Sequence, residues 1–93
     1  MPDNRGDWHL YLIRCKGGQL YTGITTDIER RINEHNSSSL GARYTRTRRP
    51  VTLHYHENAN NRSDALKREF EIKKLSRRAK QSLTIPSAKV RSI

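Results

Sequence analysis

Apolar and polar positions along this chain alternate in short runs that turn over every few residues. His9 to Arg14 reads His-Leu-Tyr-Leu-Ile-Arg, and after Lys16-Gly17-Gly18-Gln19 a second run, Leu20-Tyr21-Thr22, follows at once. Two β-rich runs across a Gly-Gly turn predict a β-hairpin, with Gly23 expected to end the second strand. Thr26-Asp27-Ile28-Glu29 has the form of a capping box, in which Thr26 accepts an early helical N–H and Glu29 reaches back to the cap. A first helix is therefore expected from about Asp27 to Asn36, stopping at the polar stretch Asn36-Ser37-Ser38-Ser39. Gly41 to Pro50 reads as a basic loop. A third strand is expected over Val51 to Glu57, where Val51, Leu53 and Tyr55 alternate with Thr52, His54 and His56, so both histidines fall on a solvated face. Ser63 or Asp64 is expected to cap a second helix running to about Leu75, and Ser76 a short third helix through Leu83. The tail from Pro86 reads as frayed. The order β-β-α-β-α-α predicts an α+β fold, a three-stranded antiparallel sheet flanked by helices. That domain should span residues 8–83 between flexible termini, 1–7 and 84–93.

Turning each helical residue by about 100° tests which side chains point inward. On the first helix the apolar positions are Ile28 and Ile32; Arg31 and His35 flank that stripe, whereas Arg30 projects to the far side. On the second, Ala65, Leu66, Phe70, Ile72 and Leu75 define one broad apolar arc with Glu69 near its centre, opposite Lys67, Glu71 and Lys74. A carboxylate there is costly unless it is paired or holds a cation. Two readings follow: a buried ion pair to Arg31 or Lys73, or a ligand for a hard cation such as Mg²⁺. Such an ion needs only one or two carboxylates besides waters and substrate phosphate.

Charge sharpens the picture. Of 93 residues, 19 are Lys or Arg and 9 are Asp or Glu, a formal charge of +10, while only 32% are hydrophobic. The core must be thin and the field attracts polyanions, with nucleic acid the default partner. Arg43, Arg46, Arg48 and Arg49 are interleaved with Tyr44, Thr45 and Thr47 in a stretch without an acid. Together with Lys73, Lys74, Arg77, Arg78 and Lys80 they form the expected phosphate-contacting surface. Such contacts position a protein on nucleic acid and carry little sequence information. The single cysteine, Cys15, excludes an internal disulfide or a zinc cluster built around it, and its strand-like setting marks it as a small core residue. Nothing approaches the length of a membrane span, and residues 1–7 lack an apolar stretch that could act as a signal. A cytoplasmic protein without membrane contact is expected.

With these residues in place, the chain resembles the GIY-YIG endonuclease superfamily from about Trp8 to Leu83, and most of all its small stand-alone bacterial proteins. His9-Leu10-Tyr11 occupies the first motif and Tyr21-Thr22-Gly23 the second, with the family's ten-residue spacing between tyrosines. Arg31 matches the arginine eight residues after the second-motif glycine, His35 a histidine found in several branches, and Glu69 the metal-binding glutamate. His9 stands where the family has glycine, Thr22 where it has isoleucine, and Gln81 where many members have asparagine. The resemblance implies hydrolysis of a DNA phosphodiester with one divalent ion, Mg²⁺ or Mn²⁺, held by Glu69. It makes Tyr21 the candidate general base, with Tyr11 orienting the water or sharing the role. A phenol of pKa about 10 is only ~0.1% ionised at neutral pH, and Arg31 with the metal would lower it. Arg31 would also stabilise the pentavalent phosphate, and His35 would contact a phosphate oxygen or tune Tyr21.

The expected activity is nicking or structure-selective cleavage in DNA repair or recombination, by a monomer or weak dimer, with targeting supplied by this domain or by an accessory protein. Two other readings stand beside it. One is a binding module that keeps the fold and cuts nothing. The other is a basic RNA- or ribosome-associated protein, whose 2′-hydroxyl contacts leave no mark in one sequence.

Overall fold

The strand Trp8–Arg14 (β1) is apolar on both faces because both faces are covered, and that decides the architecture. The computed structural model describes residues 8–37 and 40–83; the expectations for the termini and for Ser38 and Ser39 lie outside these. β1 is central, flanked by Leu20–Thr25 (β2) and Thr52–Ala59 (β3), both antiparallel to it. The helix Ile28–Ser37 (α1) packs on one side, where Tyr11, Ile13, Cys15 and Val51 are buried with Ile28, Ile32, Tyr21 and Leu53 against them. On the other side Leu10 and Leu12 bury against Ile72 of the helix Arg62–Lys73 (α3), with Leu20, Tyr55 and Leu83 around them. Two short helices, Arg43–Arg46 (α2) and Arg77–Ser82 (α4), complete the domain.

The α+β expectation and the order of strands and long helices hold, with five local differences. β2 does not end at Gly23 but runs through it to Thr25. α1 is capped by Asp27, not Thr26: Asp27 Oδ1 accepts the Arg30 N–H at 3.0 Å, and the Thr25 hydroxyl in turn accepts the Asp27 N–H at 3.1 Å. A carboxylate is the better cap here, since it also meets the positive end of the helix dipole. The expected basic loop contains α2, one helical turn. α3 starts earlier than expected, on Asn61, whose side chain accepts the Asp64 N–H at 2.8 Å; Ser76 caps α4 as expected.

The fifth difference is in β3. Between Leu12 and Ile13 the register with β3 slips by one residue, so that Leu12 faces Tyr55 and Ile13 faces Leu53. A bulge breaks the period of two. Leu53 therefore joins the α1 side and Tyr55 the α3 side, and the histidines expected on a solvated face are both half-buried. His54 Nε2 lies 3.3 Å from the Lys80 carbonyl, while His56 sits opposite Tyr11 and meets His9 ring-edge to ring.

Two polar clamps hold the layers. Arg68 forks onto Glu57, Nε to Oε1 at 2.8 Å and Nη2 to Oε2 at 3.0 Å, tying α3 to β3. The Asn36 amide mimics a strand partner: its Nδ2 donates to the Val51 carbonyl at 3.0 Å and its Oδ1 accepts the Val51 N–H at 2.7 Å. At about 1 kcal/mol net per hydrogen bond, Asn36→Ala should cost roughly 2 kcal/mol, seen as a lower urea midpoint with an unchanged m-value.

Candidate active site

Tyr11 and Tyr21 project from the same face of the hairpin, because Ile13 pairs with Tyr21 and Tyr11 pairs with Gly23. The second pairing explains why glycine stands mid-strand. A Cβ at position 23 would fall 2.5 Å from the Tyr11 hydroxyl, so the phenol occupies the space a side chain would take.

α1 then brings its inward face to that phenol. Tyr11 Oη lies 2.9 Å from His35 Nε2, and His35 Nδ1 lies 2.8 Å from Thr45 Oγ1. The Thr45 hydroxyl donates to the Ala42 carbonyl at 3.0 Å, which leaves its oxygen to accept. Donor counting assigns the tautomer: Nδ1–H donates to Thr45, and Nε2 accepts the Tyr11 proton. His35 is fully buried, and burial, followed by the Arg31 charge, pushes its pKa down to about 4. It is a neutral acceptor at physiological pH. Burial raises the Tyr11 pKa above that of a free phenol despite the hydrogen bond from Arg31. Tyr11 is thus placed as a hydrogen-bond donor to His35 and an acceptor from Arg31.

Arg31 points inward as expected, but it addresses Tyr11: its Nε donates to that hydroxyl at 3.4 Å. Its Nη1 donates to Glu34 Oε1 and to the Leu40 carbonyl, both at 2.8 Å. Among the described residues nothing engages Nη2, which leaves two donors on a guanidinium that is always charged. The Tyr21 hydroxyl likewise hydrogen-bonds to no described residue. Its ring is half-buried, 5.5 Å from the His35 ring and stacked on Tyr44 at 5.8 Å.

Glu69 differs from expectation. Ala65 and Ile72 are the buried positions of α3, whereas Phe70 is 64% exposed and Leu66 and Leu75 are each more than a third exposed. The buried stripe is narrow because three strands offer little surface, and Glu69 lies at its flank, about 50° round from the line through Ala65 and Ile72. Its side chain is 19% exposed, with Lys73 Nζ at 3.4 Å, so the expected partner is there but, with Lys73 55% exposed, the pair is not a buried one. The Glu69 charge is felt at the Tyr11 phenol, so α3 delivers a carboxylate to the electrostatic reach of the tyrosines. Among the described residues no three His, Cys, Asp or Glu groups form a ready-made metal cage. A mostly buried carboxylate held by one long contact to a half-exposed lysine still suits an ion that takes its other ligands from water and phosphate.

A model of the GIY-YIG catalytic domain matches residues 7–82. The chain belongs to the GIY-YIG family. It is 56% identical over 86 residues to a UPF0213 protein of Desulfotalea psychrophila, spanning 92% of this chain and 78% of that one. A UPF0213 protein of Halobacterium salinarum is 51% identical over 75 residues, 81% of this chain and 96% of its own. The solution NMR structure of a UPF0213 protein from Bacillus halodurans is 43% identical, with a TM-score of 0.50 over 80% of this chain and 78% of that one. A second solution NMR structure, from E. faecalis, is 45% identical with a TM-score of 0.54, covering 78% and 77%.

Around this candidate site of the GIY-YIG domain the expected basic residues divide. Arg43, Arg46, Arg77 and Arg78 are exposed and Lys80 half-buried. Arg48 lies over the Tyr44 ring, 3.9 Å from its centroid, and Lys74 over the Phe70 ring at 4.7 Å. Arg49 is turned inward: its Nε donates to the His35 carbonyl and its Nη2 to Glu34 O at 3.4 Å, which closes the end of α1. Two site residues were not singled out from sequence. Tyr44 carried a usable signal, an aromatic inside an arginine-rich stretch. Thr45 carried none, because only the fold of α2 onto α1 brings it to His35.

The His35 environment predicts a pH dependence. The folded state binds its proton less readily than the unfolded chain, whose histidine titrates near 6.5. The stability is therefore fully present above about pH 6.5 and falls as pH drops toward 4, by about 3 kcal/mol. Denaturation of the wild type at pH 7 and 4, compared with His35→Gln, should show this increment missing from the variant.

Proposed function

We propose that this chain is a divalent-metal-dependent DNA endonuclease that hydrolyses phosphodiester bonds. The carrying observation is the convergence of Tyr11, His35 and Arg31 within 2.9 and 3.4 Å contacts, beside an unengaged Tyr21 hydroxyl and within reach of the Glu69 charge. Glu69 would hold Mg²⁺ or Mn²⁺, which when bound supplies Lewis-acid polarisation of the phosphate. Arg31 offers its two open Nη2 donors to the non-bridging oxygens as charge builds in the transition state. Tyr21, as its phenolate, would accept the proton of the attacking water. Tyr11, fixed by His35 and by the gap at Gly23, holds Arg31 in register and donates its own proton inward.

The net charge of +10 supports a polyanionic substrate. With one site per chain, nicking by the monomer is the simplest outcome, and a role in DNA repair or recombination in the cytoplasm, with or without an accessory protein, agrees with it. Supercoiled plasmid and branched DNA incubated with Mg²⁺ or Mn²⁺ should be nicked, and chelation should stop the reaction. Glu69→Gln and Tyr21→Phe should each lower the rate by about 100-fold or more while DNA binding persists. Binding with no cleavage by any form would favour the non-catalytic module, and a clear preference for RNA the third reading. If about six phosphates are engaged, the affinity should fall with a log–log salt slope near −5.

A further inference from the structure

Next to the Tyr21 end of the site, the turn of the hairpin and α4 enclose two adjoining depressions. One, of about 240 Å³, is lined by Gln19, Leu20, Tyr44, Arg77 and Lys80. The other, of about 280 Å³, is lined by Arg14, Gly18, Leu20, His54 and Gln81. Leu20 is their common wall, and the charged residues lining them, Arg14, Arg77 and Lys80, are all cationic.

Three features give this groove a defined shape. Gly18 adopts φ +90° in the turn, where a side chain would be strained, and its open side lies 3.8 Å from Arg77 Nη2. Arg77 is therefore poised between the two depressions. The Lys16 N–H donates to the Arg48 carbonyl at 3.0 Å, anchoring the turn to the segment that carries Tyr44. Tyr44, 40% exposed, stacks on Tyr21 and so joins the groove to the tyrosine pair.

Gln19 adds a side-chain amide to the lining, packed over Gly17 of the turn. Gln81 and His54 add hydrogen-bonding groups along the same path. Cationic side chains lining a groove beside the partly exposed Tyr44 suit the backbone of a single strand. A duplex presents its phosphates on a convex surface and leaves a concave groove of this size unfilled.

We propose that this groove binds a single-stranded segment of the nucleic-acid substrate, continuing from the phosphate held beside Tyr21, so that the preferred substrate is a duplex with an unpaired tail. The proposal deepens the nuclease reading and rests on it for the direction of the strand, but its test needs no cleavage.

Fluorescence anisotropy in EDTA would compare a blunt DNA duplex with the same duplex carrying a ten-nucleotide 3′ or 5′ tail. One tail polarity should bind about tenfold more tightly than the blunt duplex. Arg77→Ala/Lys80→Ala should abolish that advantage. Lys74→Ala/Arg78→Ala removes the same charge outside the groove and should weaken both substrates by one common factor. Equal binding of tailed and blunt duplexes would overturn the proposal. So would groove variants that weaken both substrates by the factor seen for the Lys74/Arg78 pair. Loss of cleavage in Glu69→Gln with the tail preference intact would separate this inference from the nuclease assignment.

Discussion

A neutral imidazole buried between two helices and a strand is the point on which this site depends. His35 accepts a hydrogen bond from Tyr11 and donates one to Thr45, so a single side chain joins β1, α1 and α2. A buried polar chain of this kind is stable only when every member is satisfied. It is satisfied here because the Thr45 hydroxyl turns back on the Ala42 carbonyl and Arg49 closes the His35 carbonyl from the other side. A lowered pKa is the consequence: a charged His35 would need two acceptors in a place that offers a donor and an acceptor.

Space matters as much as polarity. The Tyr11 phenol reaches His35 and Arg31 only because Gly23 opposite has no side chain, and the tyrosine–glycine pairing is a register fact that ties the first motif to the second. A similar constraint operates at Gly41, where a Cβ would meet the Glu34 carbonyl at 2.7 Å. That close approach lets α2 fold back on α1 and carry Thr45 and Tyr44 to their places.

Cationic groups serve two ends. Arg49 and Arg68 are held by carbonyl and carboxylate partners and stabilise the layers. Arg14, Arg77 and Lys80 line a groove in which no acid takes part, so their fields add toward a polyanion. Arg31 stands between the two groups, partly paired to Glu34 yet with Nη2 engaged by none of the described residues.

Much of this was legible in the chain. The hairpin, both long helices and the inward aim of Arg31 and His35 follow from turn residues and periodicity, because a thin domain must put its few apolar residues on one side of each element. The motif spacings placed Tyr11, Tyr21 and Glu69. What periodicity could not express was decided by packing. A bulge moved Tyr55 to the other face of the sheet from Leu53 and half-buried two histidines. A three-stranded sheet was too narrow to cover the arc of α3, leaving Phe70 exposed and Glu69 at the flank. Identical arginines became clamps or groove residues according to which carbonyls the tertiary fold brought beside them. Local patterns specify which elements form, since those depend on neighbours in sequence; which proton goes where depends on partners 10 and 24 residues away, and only the folded chain brings these together.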